Sequence, residues 1–456
     1  MIVNVEDTYG FIVGEYVFEP DRLIFWPKST SSIDKAKIYA HIATSDRYEH
    51  LNNKLLSYSP RNVQFKPGAL LKAGICLTDN CSFRCNYCFE SSIDGRKEQL
   101  SADDVMAFVS DIIKRWTIAS FFSESEEPLH LTFTGGGEPT YNWDLFANSV
   151  RQIRQKCSAN RVPLSIDLTT NGLLNKSQQV FIAEHCDSVM VSYDGMPEIQ
   201  ETNRRCANTH ATTKSIEDAI RYFSKSPLHL TVRTTIWQDD FHHLREFADY
   251  IFSNFGTSME WSIMPVIPTG RALNRVLKDY KQLRDGDFLF PYLNTIDYAQ
   301  NRYGIVNITT PIFTQGLVSA FSCGALSCYC SCPWLLPDRT IITCIQYRDI
   351  KTIIGKIEDK QVIYLENIYD PLLEVYQQRF SNCRPCIAYR FCKGGCPARF
   401  LSTSVLMGNW ECIMIRKYWT YIFENIVAGK ECLGWHVVPI QIDGLEDIEV
   451  LSLAKA

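Results

Sequence analysis

Short runs rich in β-branched and aromatic residues alternate with amphipathic helical segments between Leu70 and Ile267. The six β-rich runs are LLKAGICLT, HLTFTGG, LSIDLTTN, SVMVSYD, HLTVRTTIW and MEWSIMPVI. Such repetition of strand and helix predicts a parallel sheet with helices outside it, either open or curled into a barrel. In both arrangements, functional residues gather at the carboxyl ends of the strands.

The helix that follows the first strand has a clear beginning and a clear apolar face. Ser101 and Asp104 have the spacing of a capping box, in which each residue satisfies a backbone N–H group of the other. Apolar side chains then recur at helical spacing, which predicts one buried face. They are Val105, Phe108, Val109, Ile112, Ile113 and Trp116.

The segments on either side of this repeat differ from it in pattern. The first segment ends at Pro67-Gly68, and its residue pattern predicts a hairpin followed by two helical stretches. The region after the repeat is rich in Cys, Gly, Pro and Ser, which predicts a separate unit held together by metal. We therefore expect an N-terminal segment, the repeat, a cysteine-rich domain and a tail without interpretable pattern, with bounds 1–68, 69–308, 309–430 and 431–456.

Composition and charge exclude several functional classes. The chain has 456 residues, of which 46% are hydrophobic and 21% are charged, as in a globular protein with a sizeable core. The formal net charge is −5, and Lys and Arg are scattered, so we expect neither nucleic acid nor a membrane as a partner. No run approaches the roughly 20 apolar residues that span a bilayer, and the first residues lack an export signal. A cytoplasmic location is expected.

Eighteen cysteines are far above ordinary usage. Without an export signal, reducing surroundings disfavour disulfides, so metal binding is the better interpretation. Five cysteines are dispersed and are interpreted as small buried hydrophobic residues, namely Cys76, Cys157, Cys186, Cys206 and Cys432. The other thirteen form three groups: Cys81, Cys85 and Cys88; then Cys323, Cys328, Cys330, Cys332 and Cys344; then Cys383, Cys386, Cys392, Cys396 and Cys412.

The first group has the pattern Cys81-x3-Cys85-x2-Cys88 and comes directly after the first strand of the repeat. Three thiolates leave one iron of a [4Fe–4S] cluster without a protein ligand, and a small molecule can chelate that iron. A structural zinc site is the alternative, although it would normally have a fourth Cys or His nearby.

With its downstream motifs, this triad resembles the radical SAM superfamily, whose members bind S-adenosylmethionine (SAM) on such a cluster. TGGGEPT at the end of the second strand, VSYDG at the end of the fourth and the following ETNRR stand in the order that the family shows. The resemblance implies an α/β fold, a partial (β/α)6 TIM-like barrel. It also implies a SAM site formed by Tyr87, Gly136, Gly137, Glu138, Ser192 and Arg204, with Arg205 as the register alternative to Arg204. Thr170, Asn171 and Arg233 are expected either to line the same end of the barrel or to have a structural role.

The last cysteine group, embedded in YRFCKGGCPARF, resembles the SPASM domain, a module with auxiliary clusters fused to radical SAM enzymes. The resemblance implies one [4Fe–4S] cluster on Cys323, Cys328, Cys344 and Cys396, with Cys330 as a reserve ligand. It implies another on Cys383, Cys386, Cys392 and Cys412, and so three clusters in all. One departure stands out, because Arg339 occupies a position where the family has Gly.

These resemblances imply an enzyme that reductively cleaves SAM to a 5′-deoxyadenosyl radical and takes hydrogen from a precursor peptide or protein. The expected product is a thioether or carbon–carbon cross-link in a ribosomally made peptide. Residues 1–68 are then expected to bind the leader peptide or to cap the barrel, and flavodoxin or ferredoxin to supply electrons. The alternatives are an anaerobic sulfatase-maturating enzyme, which forms formylglycine, and a zinc-stapled binding scaffold without catalysis.

Overall fold

The computed structural model of the chain describes most of the βα repeat, together with parts of the flanking regions. The residues described are 2–5, 8–13, 16–19, 24–27, 72–90, 97–123, 128–206, 212–267, 269–273, 288–312, 333–347, 352–365, 383, 385–388, 392, 396, 398–401, 410–429, 435–442 and 445–453. The two helical stretches expected before Pro67 lie outside these residues.

Strands and helices are numbered here in chain order within the described ranges. The strands are β1 Ile2–Val5, β2 Thr8–Val13, β3 Tyr16–Glu19, β4 Ile24–Pro27, β5 Lys72–Ile75, β6 Leu129–Phe133, β7 Leu164–Thr170, β8 Ser188–Ser192, β9 His229–Ile236, β10 Glu260–Pro265, β11 Asn307–Thr309, β12 Trp334–Leu335, β13 Thr340–Ile342, β14 Ile353–Glu358, β15 Gln361–Tyr364, β16 Trp435–Ile442 and β17 Leu445–Leu453. The helices are α1 Ala102–Ser123, α2 Trp143–Ala159, α3 Lys176–His185, α4 Pro197–Asn203, α5 Thr213–Phe223, α6 Leu244–Phe255, α7 Leu289–Tyr303 and α8 Trp410–Val427. None of the helices in the described ranges has the length and apolarity needed to cross a bilayer.

The central sheet contains the predicted repeat. Strands β5 to β11 lie side by side in chain order and are all parallel. Each of the six predicted β-rich runs holds one of the strands β5 to β10, and the short β11 adds a seventh beyond the prediction. Along β7, Ile166, Leu168 and Thr170 are buried, whereas Asp167 and Thr169, which alternate with them, are only partly buried. This alternation confirms the α/β class and leaves one face of the sheet for a site.

Helix α1 begins and packs as its sequence predicts. The Ser101 backbone N–H donates to the Asp104 carboxylate at 2.9 Å, and the Asp104 backbone N–H donates to Ser101 Oγ at 3.1 Å, which completes the capping box. The six apolar side chains at helical spacing, from Val105 to Trp116, are all buried. Their burial against the sheet is the main reason that this helix is stable.

The strands of the cysteine-rich region continue the barrel sheet instead of forming a sheet of their own. Strand β12 pairs in parallel with β5, and β13, β14 and β15 follow in antiparallel order. At the junction, Trp334 pairs with Gly74, and a Cβ atom on Gly74 would lie 1.9 Å from the indole ring. Glycine at this position therefore lets the tryptophan pack across the strand, so the region expected to be separate is joined to the barrel.

A second sheet brings the two ends of the chain together. Its order is β1-β2-β3-β4-β17-β16, and every pairing in it is antiparallel. Phe18 of β3 is fully buried and contacts Phe423 of α8, with ring centroids 4.3 Å apart. The tail that carried no interpretable pattern thus supplies two strands to the sheet begun by the N-terminal segment.

Arg339 occupies the turn between β12 and β13 in the left-handed conformation, with φ of +68°. The Arg339 backbone N–H donates to the Leu336 carbonyl, and the Leu336 backbone N–H donates to the Thr340 carbonyl, both at 2.9 Å. Arg339 therefore adopts a backbone conformation typical of glycine. Its Nε atom lies 3.2 Å from the Asp104 carboxylate. The left-handed region costs a residue with a Cβ about 1–2 kcal/mol.

We expect Arg339→Gly to raise the free energy of unfolding by about 0.5–1 kcal/mol, because strain is relieved and the ion pair that is lost has an exposed arginine as one partner. Arg339→Ala keeps the strain and loses the same ion pair, so it should be less stable than the native chain. Thermal unfolding of the three proteins in parallel measures the difference. Equal losses in both variants would show that the ion pair with Asp104 outweighs the backbone conformation.

Candidate active site at the carboxyl ends of the barrel strands

A cavity of about 610 Å³ lies where the parallel strands end. The loop after β5, the turn after β6 and the last residues of β7 to β10 contribute to its wall. It brings together every residue of the expected SAM site, namely Cys81, Cys85, Tyr87, Cys88, Gly136, Gly137, Glu138, Ser192 and Arg204. Thr170, Asn171 and Arg233 line the same cavity.

Hydrogen bonds join the loop that carries the cysteine triad to the last residue of α4 and to the residues that follow it. The Arg84 backbone N–H donates to the Arg205 carbonyl at 2.8 Å, and the Asn86 N–H donates to the Asn203 carbonyl at 2.9 Å. The amide of Asn86 also donates to Asn203 Oδ1 and accepts from the Trp237 indole. Residues far apart in sequence therefore hold the triad in one conformation.

The segment after β10 closes on the triad from another direction. Gly270 has φ of +54°, and a Cβ atom there would lie 2.2 Å from the Cys88 carbonyl oxygen. Arg271 donates from its backbone to that carbonyl at 3.1 Å and from its guanidinium to the Cys85 carbonyl at 3.2 Å. A positive charge thus stands beside two of the three cysteines.

The three thiols converge in a setting that disfavours bare thiolates. Burial raises the pKa of Cys81 to about 12 and that of Cys88 to about 11, and it also raises the pKa of Cys85. The charges of Glu138, Cys85 and Cys88 raise the pKa of Cys81 further, so the three thiols are close enough to interact electrostatically. Thiolates at these positions need the positive charge of a metal centre to be stable.

The arrangement fits an iron–sulfur cluster better than a single ion. In the part of the chain that the structure describes, no three Cys, His, Asp or Glu side chains come together as ligands of one metal ion. A structural zinc site would normally need a fourth Cys or His, whereas a cubane cluster takes its thiolates at separate iron atoms and could be held by these three cysteines. With three cysteine ligands, one iron of such a cluster would lack a protein ligand.

The glycine-rich turn after β6 packs directly on the start of the cysteine loop. A Cβ atom on Gly137 would lie 1.8 Å from the Asn80 carbonyl oxygen, and Gly136 has φ of +67°. The Gly137 N–H donates to the Thr78 carbonyl at 2.7 Å, and the Glu138 N–H donates to the Asn80 carbonyl at 2.8 Å. Glycine is thus required here for close contact between two backbones.

Glu138 has a structural role that its motif did not predict. Its buried carboxylate accepts hydrogen bonds from the Thr140 hydroxyl at 2.7 Å, the Thr170 hydroxyl at 2.8 Å and the Asn171 backbone N–H at 2.7 Å. Burial raises the pKa of this carboxyl group despite these donors. Glu138 therefore ties the turn after β6 to the end of β7, in addition to lining the cavity.

Tyr87, Asp194 and Arg204 form a buried polar cluster at one side of the cavity. Asp194 accepts from the Tyr87 hydroxyl at 2.5 Å, from Arg204 Nε at 3.3 Å and from the Thr235 backbone N–H at 3.2 Å. Although burial favours the neutral form, the charges of Tyr87, Cys85 and Asp194 hold the pKa of Arg204 well above its ordinary value. Arg205 is exposed, so the geometry favours Arg204 over its register alternative.

Four cysteines of the last group lie together near α8. Burial raises the pKa of Cys392 well above its ordinary value, and the nearby thiols of Cys412, Cys383 and Cys386 raise it further. Cys412 also raises the pKa of Cys386. These four are the residues expected to hold one auxiliary cluster.

The other expected auxiliary cluster is only partly within the described residues. Cys344 and Cys396 are both buried, and Cys396 Sγ lies 3.9 Å from the side-chain oxygen of Gln346. Gln346 and Arg399 line the large cavity, so this part of the cysteine-rich region borders the candidate SAM site. The remaining expected ligands, Cys323 and Cys328, and the reserve Cys330 lie outside the described residues.

The dispersed cysteines behave largely as small hydrophobic residues. Cys76, Cys157 and Cys186 are buried, whereas Cys206 is half-buried beside Phe83 of the cysteine loop. Cys432 lies outside the described residues.

Comparison with known families gives the class of protein that the fold and the site define. Residues 75–251, from the last residue of β5 to α6, match the family described as the radical SAM superfamily. The matched part includes the cysteine triad, the glycine-rich turn and Arg204. The protein is an enzyme that binds SAM together with a [4Fe–4S] cluster. Over these residues the chain is similar to the radical SAM superfamily.

Individual relatives extend the similarity beyond the barrel. A cysteine-type anaerobic sulfatase-maturating enzyme from Clostridium perfringens is 23% identical over 364 residues, which cover 77% of this chain and 95% of that one. The structure of native anSMEcpe with bound AdoMet superposes with a TM-score of 0.59 at 20% identity, over 78% of this chain and 98% of the other. SuiB from Streptococcus suis, bound to the precursor peptide SuiA, gives a TM-score of 0.50 at 16% identity, over 78% and 76% of the two chains.

Several residues of the site were not predicted from sequence. Asn86 and Asn203 position the cysteine loop, Arg271 contacts it, and Gln346 and Arg399 bring the cysteine-rich region to the cavity. Arg271 stands in PTGRA, a glycine-containing turn after the last predicted strand, and this turn was the available signal. The other four depend on contacts between distant segments, which no local pattern reports.

Proposed function

We propose that the chain is a maturase that removes a hydrogen atom from a residue of a peptide or protein substrate. The observation that supports this most strongly is the similarity to the Clostridium perfringens sulfatase-maturating enzyme, which covers 95% of that protein. A similarity of this extent takes in most of the barrel and part of the regions beside it. The cavity of about 610 Å³, bordered by both the barrel and the cysteine-rich region, has room for more than the nucleoside of SAM.

In this proposal each group of residues has a distinct task. Cys81, Cys85 and Cys88 hold the cluster, which together with SAM supplies a strongly oxidising hydrogen-abstracting radical when both are bound. Gly136 and Gly137 let the backbone approach SAM closely. Tyr87, Glu138, Ser192 and Arg204 orient SAM around that backbone. The barrel excludes water and other hydrogen donors from the reacting atoms.

We further propose two auxiliary [4Fe–4S] clusters. The convergence of Cys383, Cys386, Cys392 and Cys412 supports one, and the approach of Cys396 to the turn after Cys344 supports the other. Their task would be to accept the electron left on the substrate, while flavodoxin or ferredoxin supplies the electron that reduces the cluster at Cys81, Cys85 and Cys88. Gln346 and Arg399, which line the cavity near Cys396, support this proposal.

Two products are consistent with such a site. The relatives named as sulfatase-maturating enzymes favour oxidation of a substrate cysteine or serine to formylglycine, which was the alternative expectation from the sequence. The cross-link is the second candidate. It is favoured by the sheet built from both ends of the chain, since its described outer strands β1 and β16 have the form of edges to which a leader peptide can add.

Mass spectrometry separates the two products. The anaerobically reconstituted enzyme, with SAM and dithionite, is incubated with a peptide copied from a cysteine-type sulfatase or with a precursor peptide encoded beside this chain. Formylglycine formation removes sulfur from the cysteine substrate, whereas a cross-link keeps every heavy atom and loses two hydrogens. Release of 5′-deoxyadenosine with neither peptide altered would contradict the proposal for these substrates.

A further inference from the structure

Two arginines from different parts of the chain line the cavity beyond the expected SAM site. Arg233 lies on β9, and Arg399 follows Cys396 in the cysteine-rich region. In the sheet, Arg233 is flanked by Ser192 of β8 and Ser262 of β10. Its guanidinium is therefore part of the inner wall at the side where the barrel meets the cysteine-rich region.

The guanidinium of Arg233 is not fully satisfied by the protein. Its Nε atom is buried and has no hydrogen-bond partner among the described residues. Burial lowers the pKa of Arg233 to about 10, the charge of Glu260 opposes this effect, and the charge of Arg399 adds to it. A buried cation with a second cation nearby favours an anion between them.

The carboxylates that accompany these arginines stand away from the cavity. Arg399 Nη2 lies 2.6 Å from the Glu411 carboxylate, which is buried and outside the cavity wall. Glu260 is likewise outside the wall and accepts hydrogen bonds from the hydroxyls of Thr231 and Thr309. The part of the cavity wall formed by Arg233 and Arg399 is therefore positively charged. The carboxylates of Glu260 and Glu411, which oppose these charges, lie outside that wall.

We propose that Arg233, with Arg399 beside it, binds a carboxylate of the peptide substrate. The ligand chemistry is a single carboxylate, either an Asp or Glu side chain or the free carboxyl terminus of the peptide. The proposal rests on the proposed maturase function. The carboxylate of SAM is the less suitable ligand, because SAM is expected over the cysteine triad and the glycine-rich turn, whereas Arg399 comes with Gln346 from the opposite region of the chain.

The test uses three pools of fluorescent peptides built around a central cysteine, with the holoenzyme saturated with SAM. One pool carries Asp and Glu at the flanking positions with an amidated terminus. The second carries Asn and Gln with an amidated terminus, and the third carries Asn and Gln with a free carboxyl terminus. Binding is measured by fluorescence anisotropy for the native enzyme, Arg233→Met, Arg233→Lys and Arg151→Met. SAM binding and thermal unfolding are measured for each protein.

We expect one carboxylate-bearing pool to bind the native enzyme ten- to hundredfold more tightly than the neutral pool, as for a charge-assisted hydrogen bond. Arg233→Met should lose this preference with SAM binding intact, and Arg233→Lys should retain part of it. Arg151, whose guanidinium stacks 4.7 Å over Phe181 outside the cavity, is the matched control, and Arg151→Met should keep the preference.

The contrary outcomes separate this assignment from the proposed function. Equal binding of the three pools to the native enzyme, or an unchanged preference in Arg233→Met, would overturn the carboxylate site and leave the maturase function standing. Loss of SAM binding in Arg233→Met, with the peptide preference intact, would assign the arginine to SAM instead. Failure of the native enzyme to bind any pool would count against the peptide substrate itself, and the carboxylate site would fall with it.

Discussion

Replacement of Cys85 by alanine is expected to abolish SAM cleavage. The backbone of the cysteine loop should survive the change, because the Cys85 carbonyl still accepts from Arg271 and from the Cys88 N–H. Only the sulfur is lost, and with it one of three protein ligands to a cluster that already has an open iron. Production of 5′-deoxyadenosine in the presence of dithionite should fall below detection, and the iron content should fall by the share of one cluster.

The matched control for this prediction is Cys157→Ala. Cys157 is buried in α2, where burial raises the pKa of its thiol to about 11. It does not line the cavity, so its loss should cost about 1 kcal/mol of stability and leave SAM cleavage unchanged. SAM cleavage by the Cys85 variant, or its loss in the Cys157 variant, would refute the assignment of the cluster.

Gly137→Ala is the second substitution for which we expect a large effect. The new methyl group would lie 1.8 Å from the Asn80 carbonyl oxygen, which belongs to backbone and cannot move as a side chain could. Separation of the two loops would break the hydrogen bonds from the Gly137 and Glu138 N–H groups to Thr78 and Asn80. We expect a loss of about 3 kcal/mol or more in the free energy of unfolding, together with loss of the cluster.

Gly304→Ala separates steric conflict from backbone strain. Unlike Gly137, Gly304 has a positive φ, +80°, and a Cβ atom there meets nothing within 4 Å. This variant should lose about 1–3 kcal/mol through strain alone and keep its iron. Denaturant unfolding and iron analysis of both variants provide the comparison. If Gly137→Ala retained full iron content, close packing of the two loops would not be what holds the triad in place.

The strands and the active-site end of the barrel could be predicted from sequence because local pattern determines them. Each strand of the repeat carries its own run of β-branched residues, and α1 carries its own cap and apolar face. The predicted site residues then converge because the carboxyl ends of neighbouring parallel strands meet at one edge. Gly136, Ser192 and Arg204 line one cavity for this reason.

Features that depend on pairing between distant segments could not be predicted in this way. The place of the tail strand β17 beside β4 follows from long-range pairing. The union of β12 with β5 depends on one missing side chain, at Gly74, opposite Trp334. The anchoring of Asn86 by Asn203 joins two amides that are ordinary in their own surroundings.

The pairing of β4 with β17 has a consequence for the biogenesis of this protein. During synthesis, the first four strands leave the ribosome long before their partner exists, so one border of that meander stays without a neighbour while the barrel forms. The hydrogen-bonding groups along β4 are then a template for wrong association until β17 emerges. Ordering of this sheet therefore requires strands that are made before and after the barrel.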